Sequence, residues 1–212
     1  MQNLCSFLGS GKTTLAASLV KFKHVIFNPV PSKVIWMYSE KTSLPEDLIK
    51  DGLIDECYQG GMSYEDIREI VFKHRETPGG SLLLFDDTLS YFNESFARIF
   101  YELSHHGNCT PILLTQQLFH QNKAYRCLAL NMQSLFLMRN PRDSSCIIHL
   151  SKQVSPYRPG WLAAAYTRAT STPYSYLFLS FHQKTSDVTR VLSRILPNEP
   201  KPIVVFVHSN TM

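Results

Sequence analysis

The sequence predicts an α/β fold in which helices flank a mainly parallel sheet. Short apolar runs of strand length alternate with amphipathic stretches along most of the chain, which is the pattern of repeated βα units. Several of these runs are continuously apolar, as expected for strands that are buried on both faces. A glycine-rich segment, GSGKTT at residues 9–14, directly precedes an amphipathic stretch and is typical of a loop at the start of a helix.

The predicted strands are runs rich in Val, Ile, Leu and aromatic residues. Residues 33–38 (KVIWMY) form the first, and residues 81–85 (SLLLF) form a second that follows the turn signal Gly79-Gly80. Runs of the same texture are found further along the chain at residues 111–115, 134–138 and 174–181. Residues 188–196 are predicted to pair with the last of these.

Two of the predicted helices carry a clear apolar stripe. The first covers residues 13–22, and its buried face is predicted to contain Leu15, Ala16, Leu19 and Val20. The second is capped by Asn93 and closed by Gly107, and its stripe consists of Phe96, Ile99, Phe100 and Leu103. Residues 144–154 form a third candidate. The segment that starts at Pro197 is predicted to be an extended or frayed tail.

The length and charge of the chain set only broad limits. With 212 residues, the chain is long enough for one domain with a complete core. Its 21 basic residues exceed its 17 acidic ones, which gives a formal net charge of +4. This balance is compatible with nucleic-acid binding but is far below the charge density of a dedicated basic arm.

The five cysteines are odd in number and scattered, without a C-x-x-C pair. This spacing predicts neither a disulfide framework nor a zinc site, and it favours reduced thiols inside a cell. No apolar run approaches the ~20 residues that cross a bilayer, and the N-terminus does not resemble a secretory signal. We therefore expect an intracellular protein, in nucleus or cytoplasm, without a membrane partner.

Residues 6–14 (SFLGSGKTT) carry the strongest motif. A phosphate-binding loop needs backbone N–H groups that all face one anion, and Gly9 and Gly11, on either side of Ser10, permit the necessary backbone conformations. The helix that begins near Lys12 would direct the positive end of its dipole at the same anion. These features predict a nucleotide-binding loop of the P-loop type.

Each polar side chain of this motif has a predicted role. Lys12 would reach the β- and γ-phosphates of ATP, and the Thr13 hydroxyl would be a ligand of Mg²⁺. Thr14 is predicted to support the α-phosphate. Gly9, Ser10 and Gly11 would contribute the backbone of the loop.

The motif departs from G-x-x-x-x-G-K-[ST] at its first position, where Ser6 replaces glycine. The alternative interpretation is a chance Gly-Lys-Thr at a helix start. A strand should also precede the loop, and residues 1–5 are what the sequence offers for it. We expect either a very short first strand or a shortened gene product.

A second motif, which is acidic, follows about 70 residues later, where the apolar run 82–85 ends in Asp86 and Asp87. A P-loop enzyme needs such a carboxylate on the Mg²⁺ side, and we assign that role to Asp86. Asp87 would polarise the attacking water. The alternative is that both acids only start the next turn, where Asp is common.

Further polar residues follow the later strands. Gln116, after the run that ends at Thr115, would orient the attacking water, because the carboxyl ends of parallel strands line one crevice; an ordinary polar strand end is the alternative. Arg139 and Arg142 follow residues 134–138 and are candidates for stabilising transition-state charge, in cis or across a subunit boundary. A turn with solvated charges is the competing interpretation.

Lys123 and Arg126 are predicted to lie on a loop after Gln116. Basic side chains there could contact DNA phosphates. A solvated protein face is the simpler explanation for both.

The order of these motifs resembles the FtsK/HerA branch of P-loop ATPases. More narrowly, the chain is similar to the genome-packaging ATPases of poxvirus-type viruses and of Polinton (Maverick) elements. The more specific segments are TQQLF at 115–119 and RNPRD at 139–143, and the similarity runs from Gly9 to Ile195. The segments that also contribute are 27–31 leading into 33–39, 83–87, and Arg126 with Asn131.

This resemblance, rather than any spacing, implies three properties. The active form would be a homo-oligomeric ring, the substrate would be double-stranded DNA, and the setting would be the filling of a capsid through a capsid vertex protein. The ATPase domain would cover residues 1–196, with 197–212 as a C-terminal tail. A small-molecule P-loop kinase and a non-hydrolysing relic of a mobile element are the alternatives.

Overall fold

A computed structural model of the chain describes residues 2–5, 11–39, 46–91, 93–141, 144–199 and 203–207. These residues form one nine-stranded sheet with helices on both faces. Its strands are β1 (Gln2–Cys5), β2 (Lys33–Tyr38), β3 (Glu56–Gln59), β4 (Ser81–Asp86), β5 (Cys109–Thr115), β6 (Ser134–Met138), β7 (Tyr176–Ser180), β8 (Val191–Ser193) and β9 (Val204–Val205).

The strand order is β3-β2-β4-β5-β1-β6-β7-β8-β9. The six strands from β3 to β6 pair in parallel, and β7 to β9 continue the sheet in antiparallel pairing. The predicted α/β class with a mainly parallel sheet is therefore confirmed. The short strand β1 lies in the interior of the sheet, between β5 and β6.

The helices connect these strands and cover the sheet. They are α1 (Lys12–Lys21), α2 (Lys23–Ile26), α3 (Glu46–Lys50), α4 (Tyr64–Lys73), α5 (Glu94–Arg98), α6 (Ser104–His106), α7 (Lys123–Asn131), α8 (Ser144–Val154) and α9 (Pro159–Ala169). A π-helical turn, Ile99–Leu103, joins α5 to α6. In the described part of the chain, no helix is both long and apolar enough to cross a membrane.

The two faces of β4 show how the sheet is buried. Leu82 and Leu84 belong to a core that includes the apolar stripe of α1, whereas Leu83 and Phe85 belong to a core with α4 and α5. Both faces are therefore covered, which explains the continuous apolar run. A third core packs α8 and α9 against β6 and β7.

Most predicted elements are confirmed. β2, β6 and α8 have the predicted ends, and β8 pairs with β7 as expected. The Asn93 side chain accepts a hydrogen bond from the Phe96 N–H at 2.8 Å, and its helix ends at Gly107, whose N–H donates to the Leu103 carbonyl. Within the segment predicted to be a tail, β9 pairs with β8.

Two assignments are wrong. The strand predicted to begin at Tyr174 begins at Tyr176, because residues 172–175 form a turn. Lys123 and Arg126 do not lie on a loop but in helix α7, which Asn122 caps by accepting hydrogen bonds from the N–H groups of Ala124 and Tyr125. The error arises because this helix is only 9 residues long and buries just three side chains. Both basic residues are exposed on α7.

Candidate active site

The parallel strands align the polar groups at one edge of the sheet. In the strand register, Cys5 at the end of β1 pairs with Thr115 at the end of β5, and Asp86 at the end of β4 pairs with Leu114. β5 lies between β1 and β4. The start of α1, the acidic pair and Gln116 therefore meet at the carboxyl edge of the sheet, where α/β folds form their ligand crevices.

Helix α1 begins at this edge. Gly11 is its N-cap, with a left-handed φ of 88° that favours glycine, and the Leu15 N–H donates to the Gly11 carbonyl at 2.9 Å. Lys12 opens the helix with only 7% of the residue exposed. Of the predicted loop residues, Gly9 and Ser10 lie outside the described part of the chain.

Thr13 links the helix to the acidic strand. Its hydroxyl donates a hydrogen bond to Asp86 Oδ2 at 3.1 Å, across 73 positions of sequence. The two residues predicted to be Mg²⁺ ligands therefore lie side by side. Thr14, in contrast, is exposed, and its carbonyl accepts a hydrogen bond from Ser18 Oγ.

Asp86 is a buried carboxyl group with a perturbed pKa. Only 1% of the residue is exposed, and burial is the main reason that its pKa rises to about 6, because desolvation disfavours the charged form. The Thr13 hydrogen bond and the Lys12 charge lower this pKa, and the neighbouring Asp87 charge raises it. A bound cation would stabilise the ionised form of such a carboxyl group, and perturbed groups of this kind are common at functional sites.

Asp87 and Gln116 form the second contact of the site. Gln116 Nε2 donates a hydrogen bond to Asp87 Oδ1 at 3.2 Å. Asp87 has a left-handed φ of 53°, a conformation that Asp tolerates better than most residues. This turn separates the side chains of the acidic pair, so that Asp86 contacts Thr13 while Asp87 contacts the amide.

The turn that carries Gln116 is held by Tyr125, a residue that the sequence did not single out. The Tyr125 hydroxyl donates to the Gln117 carbonyl and lies 3.4 Å from Thr115 Oγ1. Thr115 Oγ1 also accepts the Gln117 N–H at 3.1 Å. The cap residue Asn122 was the available signal, since it places Tyr125 in the first turn of α7.

The structure describes only one of the two candidate arginines. Arg139 follows β6 at the same edge of the sheet and is exposed, whereas Arg142 lies outside the described residues. The turn after β6 is held by Tyr166 of α9, whose hydroxyl accepts the Asn140 N–H at 2.9 Å and lies 3.1 Å from the Met138 carbonyl. Tyr166 thus has a supporting role at this edge.

Thr13 and Asp86 offer the kinds of oxygen ligand that Mg²⁺ prefers. A hydroxyl and a carboxylate are hard oxygen ligands, and Mg²⁺ in nucleotide sites is commonly held by one or two such protein groups together with phosphates and water. The adjacency of Thr13 and Asp86 fits this pattern. Among the described residues, no cluster of three or more His, Cys, Asp or Glu side chains could hold a metal ion.

Comparisons with known proteins support the fold. Neither a protein-family model nor a curated protein sequence matches the chain. Among solved structures, the chain is similar to the cytoplasmic domain of the Thermomonospora curvata type VII secretion ATPase EccC, with a TM-score of 0.52 and 13% identity over 97% of this chain. The chain spans 25% of the length of that protein.

At this identity the similarity concerns the fold alone. The chain shares with that ATPase domain an α/β fold in which helices flank a mainly parallel sheet. The described site residues lie where this fold class binds its ligands, at the carboxyl edge of the parallel strands.

Proposed function

We propose that this chain is an ATPase domain that uses Mg²⁺–ATP hydrolysis to move double-stranded DNA, in a homo-oligomeric ring that packages a viral or Polinton-type genome into a capsid. The observation that carries the ATPase part is the contact of Thr13 with Asp86, next to that of Gln116 with Asp87. It joins the predicted metal ligands and the predicted water-activating groups at the start of α1.

The residues divide the chemistry between them. Lys12 neutralises charge on the β- and γ-phosphates, and the N–H groups at the start of α1 bind the same oxygens. Thr13 and Asp86 would hold Mg²⁺, which supplies charge stabilisation to the transferred phosphoryl group. Asp87 accepts a proton from the attacking water, and Gln116 orients both that water and the Asp87 carboxylate.

The arrangement of the acidic pair supports hydrolysis by water. The Asp87 carboxylate accepts a hydrogen bond from Gln116 and lies beside the proposed phosphate site, where a carboxylate can act as a base. A kinase would need an acceptor pocket and an arginine-rich lid at this position, and Gln116 and Asp87 provide neither. We therefore favour an ATPase over a small-molecule kinase.

The resemblance of TQQLF and RNPRD to viral packaging ATPases supports DNA as the track. The exposed side chains of Lys123 and Arg126 on α7 would contribute phosphate contacts. Exposed Arg139 would act on the nucleotide of a neighbouring subunit, which would make hydrolysis depend on the ring.

A second candidate function is the movement of polypeptide, because the similar solved structure is a secretion ATPase. The two tracks differ in charge. A DNA motor contacts phosphates, so its stimulation by duplex DNA should fall steeply with salt and vary little with sequence.

Steady-state ATP hydrolysis with and without duplex DNA tests the proposal. We expect Mg²⁺-dependent turnover that rises when duplex DNA is added and falls back when salt is raised. A rate of ATP hydrolysis that does not change when duplex DNA is added would favour movement of polypeptide. An absence of hydrolysis in a folded, ATP-binding protein would favour the relic alternative.

A further inference from the structure

Tyr174 occupies an unusual position beside the start of α1. An ideal Cβ placed on Gly11 would lie 3.0 Å from Tyr174 Cδ1, so the tyrosine ring packs directly against the backbone at the end of the phosphate loop. Despite this contact, 71% of Tyr174 is exposed. An aromatic ring is thus presented to solvent at the edge of the proposed nucleotide site.

The backbone holds this ring in a strained conformation. The Ser175 N–H donates to the Thr172 carbonyl at 3.3 Å, which closes a turn with Pro173 and Tyr174 at its centre. Tyr174 has a φ of 63°, at a turn position that normally takes glycine or asparagine. A bulky residue in this conformation is a local strain of the kind that persists at functional sites.

The strand register shows at which edge of the sheet this turn lies. β7 begins at Tyr176, which pairs with Met138 at the end of β6. The turn therefore lies at the same edge as the carboxyl ends of the parallel strands. β6 and β4 lie on opposite sides of β1 in the sheet, so Tyr174 and the acidic pair lie on opposite sides of β1.

This placement fixes the direction of a bound nucleotide. In the proposed mechanism, Asp87 activates water at the γ-phosphate, so the γ-phosphate points toward β4. The α-phosphate and the nucleoside must then extend from the start of α1 toward β6 and the 172–175 turn. Tyr174 is an exposed aromatic residue at that end, and aromatic rings bind nucleobases by stacking on their faces.

We propose that Tyr174 forms the nucleobase subsite, in which its ring stacks on the base of the bound nucleotide. This inference rests on the proposed function, because it requires phosphates at the start of α1. Stacking reads the flat face of a base rather than its hydrogen-bonding edge. The subsite therefore increases affinity for nucleotides over phosphate alone, and it depends on the ring rather than on the hydroxyl.

The test compares two ligands that share their phosphates, Mg²⁺–ADP and Mg²⁺–pyrophosphate, by titration calorimetry. Tyr174→Asn removes the ring and suits the left-handed backbone, so the turn should be preserved. We expect this variant to bind ADP at least about fivefold more weakly, as the loss of base stacking implies. Its affinity for pyrophosphate should stay within about twofold of wild type, because the phosphate contacts are unchanged. A twofold change in Kd corresponds to a binding free energy no larger than the thermal energy.

Two further variants complete the comparison. Tyr174→Phe keeps the ring and should bind ADP as wild type does. Tyr157→Asn is the matched control. Tyr157 is 97% exposed and follows the C-terminal end of α8, away from the carboxyl ends of the parallel strands. This variant should change the affinity for neither ligand.

The outcomes separate the two proposals. If wild type binds both ligands and Tyr174→Asn binds ADP equally well, the stacking subsite is wrong and the P-loop site stands. Equal losses of ADP and pyrophosphate would mean that Tyr174 only supports the loop, which also overturns the subsite. A folded wild type that binds neither ligand overturns both the subsite and the proposed function.

Discussion

Asp86 should destabilise the protein when no nucleotide or metal is bound. Its pKa is raised from 3.8 to about 6, so the folded state binds this proton more tightly than the unfolded state does. The contribution of Asp86 to the free energy of unfolding is therefore most favourable below pH 3.8, and it falls as the pH rises toward about 6. We predict that Asp86→Asn, which cannot ionise, stabilises the ligand-free protein at neutral pH.

The size of the effect follows from the shift. About two pKa units correspond to about 3 kcal/mol, and this is an upper value because an amide is also costly to bury. Asn can still accept the hydrogen bond from Thr13. For a chain of this length the gain corresponds to a rise in Tm of up to about 6–12 °C. At pH 5 the gain should be about half of that at pH 8, because the Asp86 carboxyl is mostly protonated there.

Thermal unfolding in the absence of Mg²⁺ and nucleotide measures this prediction. Asp55→Asn is the control with the opposite sign, because hydrogen bonds from Lys33 and the Val34 N–H outweigh burial and lower the pKa of Asp55. That variant should lose stability at neutral pH. Added Mg²⁺–ATP should then raise the Tm of wild type more than that of Asp86→Asn, because ligand binding stabilises the folded state. An Asp86→Asn protein that is less stable than wild type at pH 8 would show that the buried Asp86 carboxylate does not destabilise the ligand-free fold.

Four further predictions concern hydrolysis. Lys12→Ala should reduce ATP turnover at least about 100-fold, because the phosphates lose their main cation; normal turnover would end the P-loop interpretation. Asp87→Asn should bind Mg²⁺–ATP in calorimetry but hydrolyse it about 100-fold more slowly or worse. Tyr125→Phe should weaken the Gln116 turn, which lowers kcat while the affinity for ATP, measured by titration, is kept. Arg139→Ala mixed with Lys12→Ala should regain activity if Arg139 acts across a subunit boundary, and should not if it acts in cis.

The strands that could be predicted from the sequence are those that are buried on both faces. β2 and β4 are buried on both faces, so their apolar runs stand out without any knowledge of neighbours. β3, in contrast, is an edge strand of the described sheet, with the sequence ECYQ and partly exposed residues. Such a segment becomes a strand through its pairing with β2, which the local sequence does not encode.

Two helices show different reasons for a missed element. α9 begins with Pro159-Gly160, a pair that signals a turn, although proline is well suited to the first helical position. α4 could have been predicted, because Ser63 and Asp66 form a capping box before an apolar stripe.

The candidate site was only partly accessible to sequence reasoning. The motifs around Lys12 and Asp86 identify residue types, but the order of the strands is a tertiary property. The insertion of β5 between β1 and β4 is what brings Gln116 to Asp87. Tyr174 lies in a turn without any motif, and only the pairing of β7 with β6 brings it to Gly11.

Displacement of a third strand from a DNA triplex is a direct test of whether the protein moves along duplex DNA. We predict that the wild-type protein, supplied with Mg²⁺–ATP, strips the third strand from duplex DNA. Lys12→Ala, or wild type with a non-hydrolysable ATP analogue, should leave the triplex intact. DNA-stimulated hydrolysis without any displacement of the third strand would show that the protein binds duplex DNA but does not move along it.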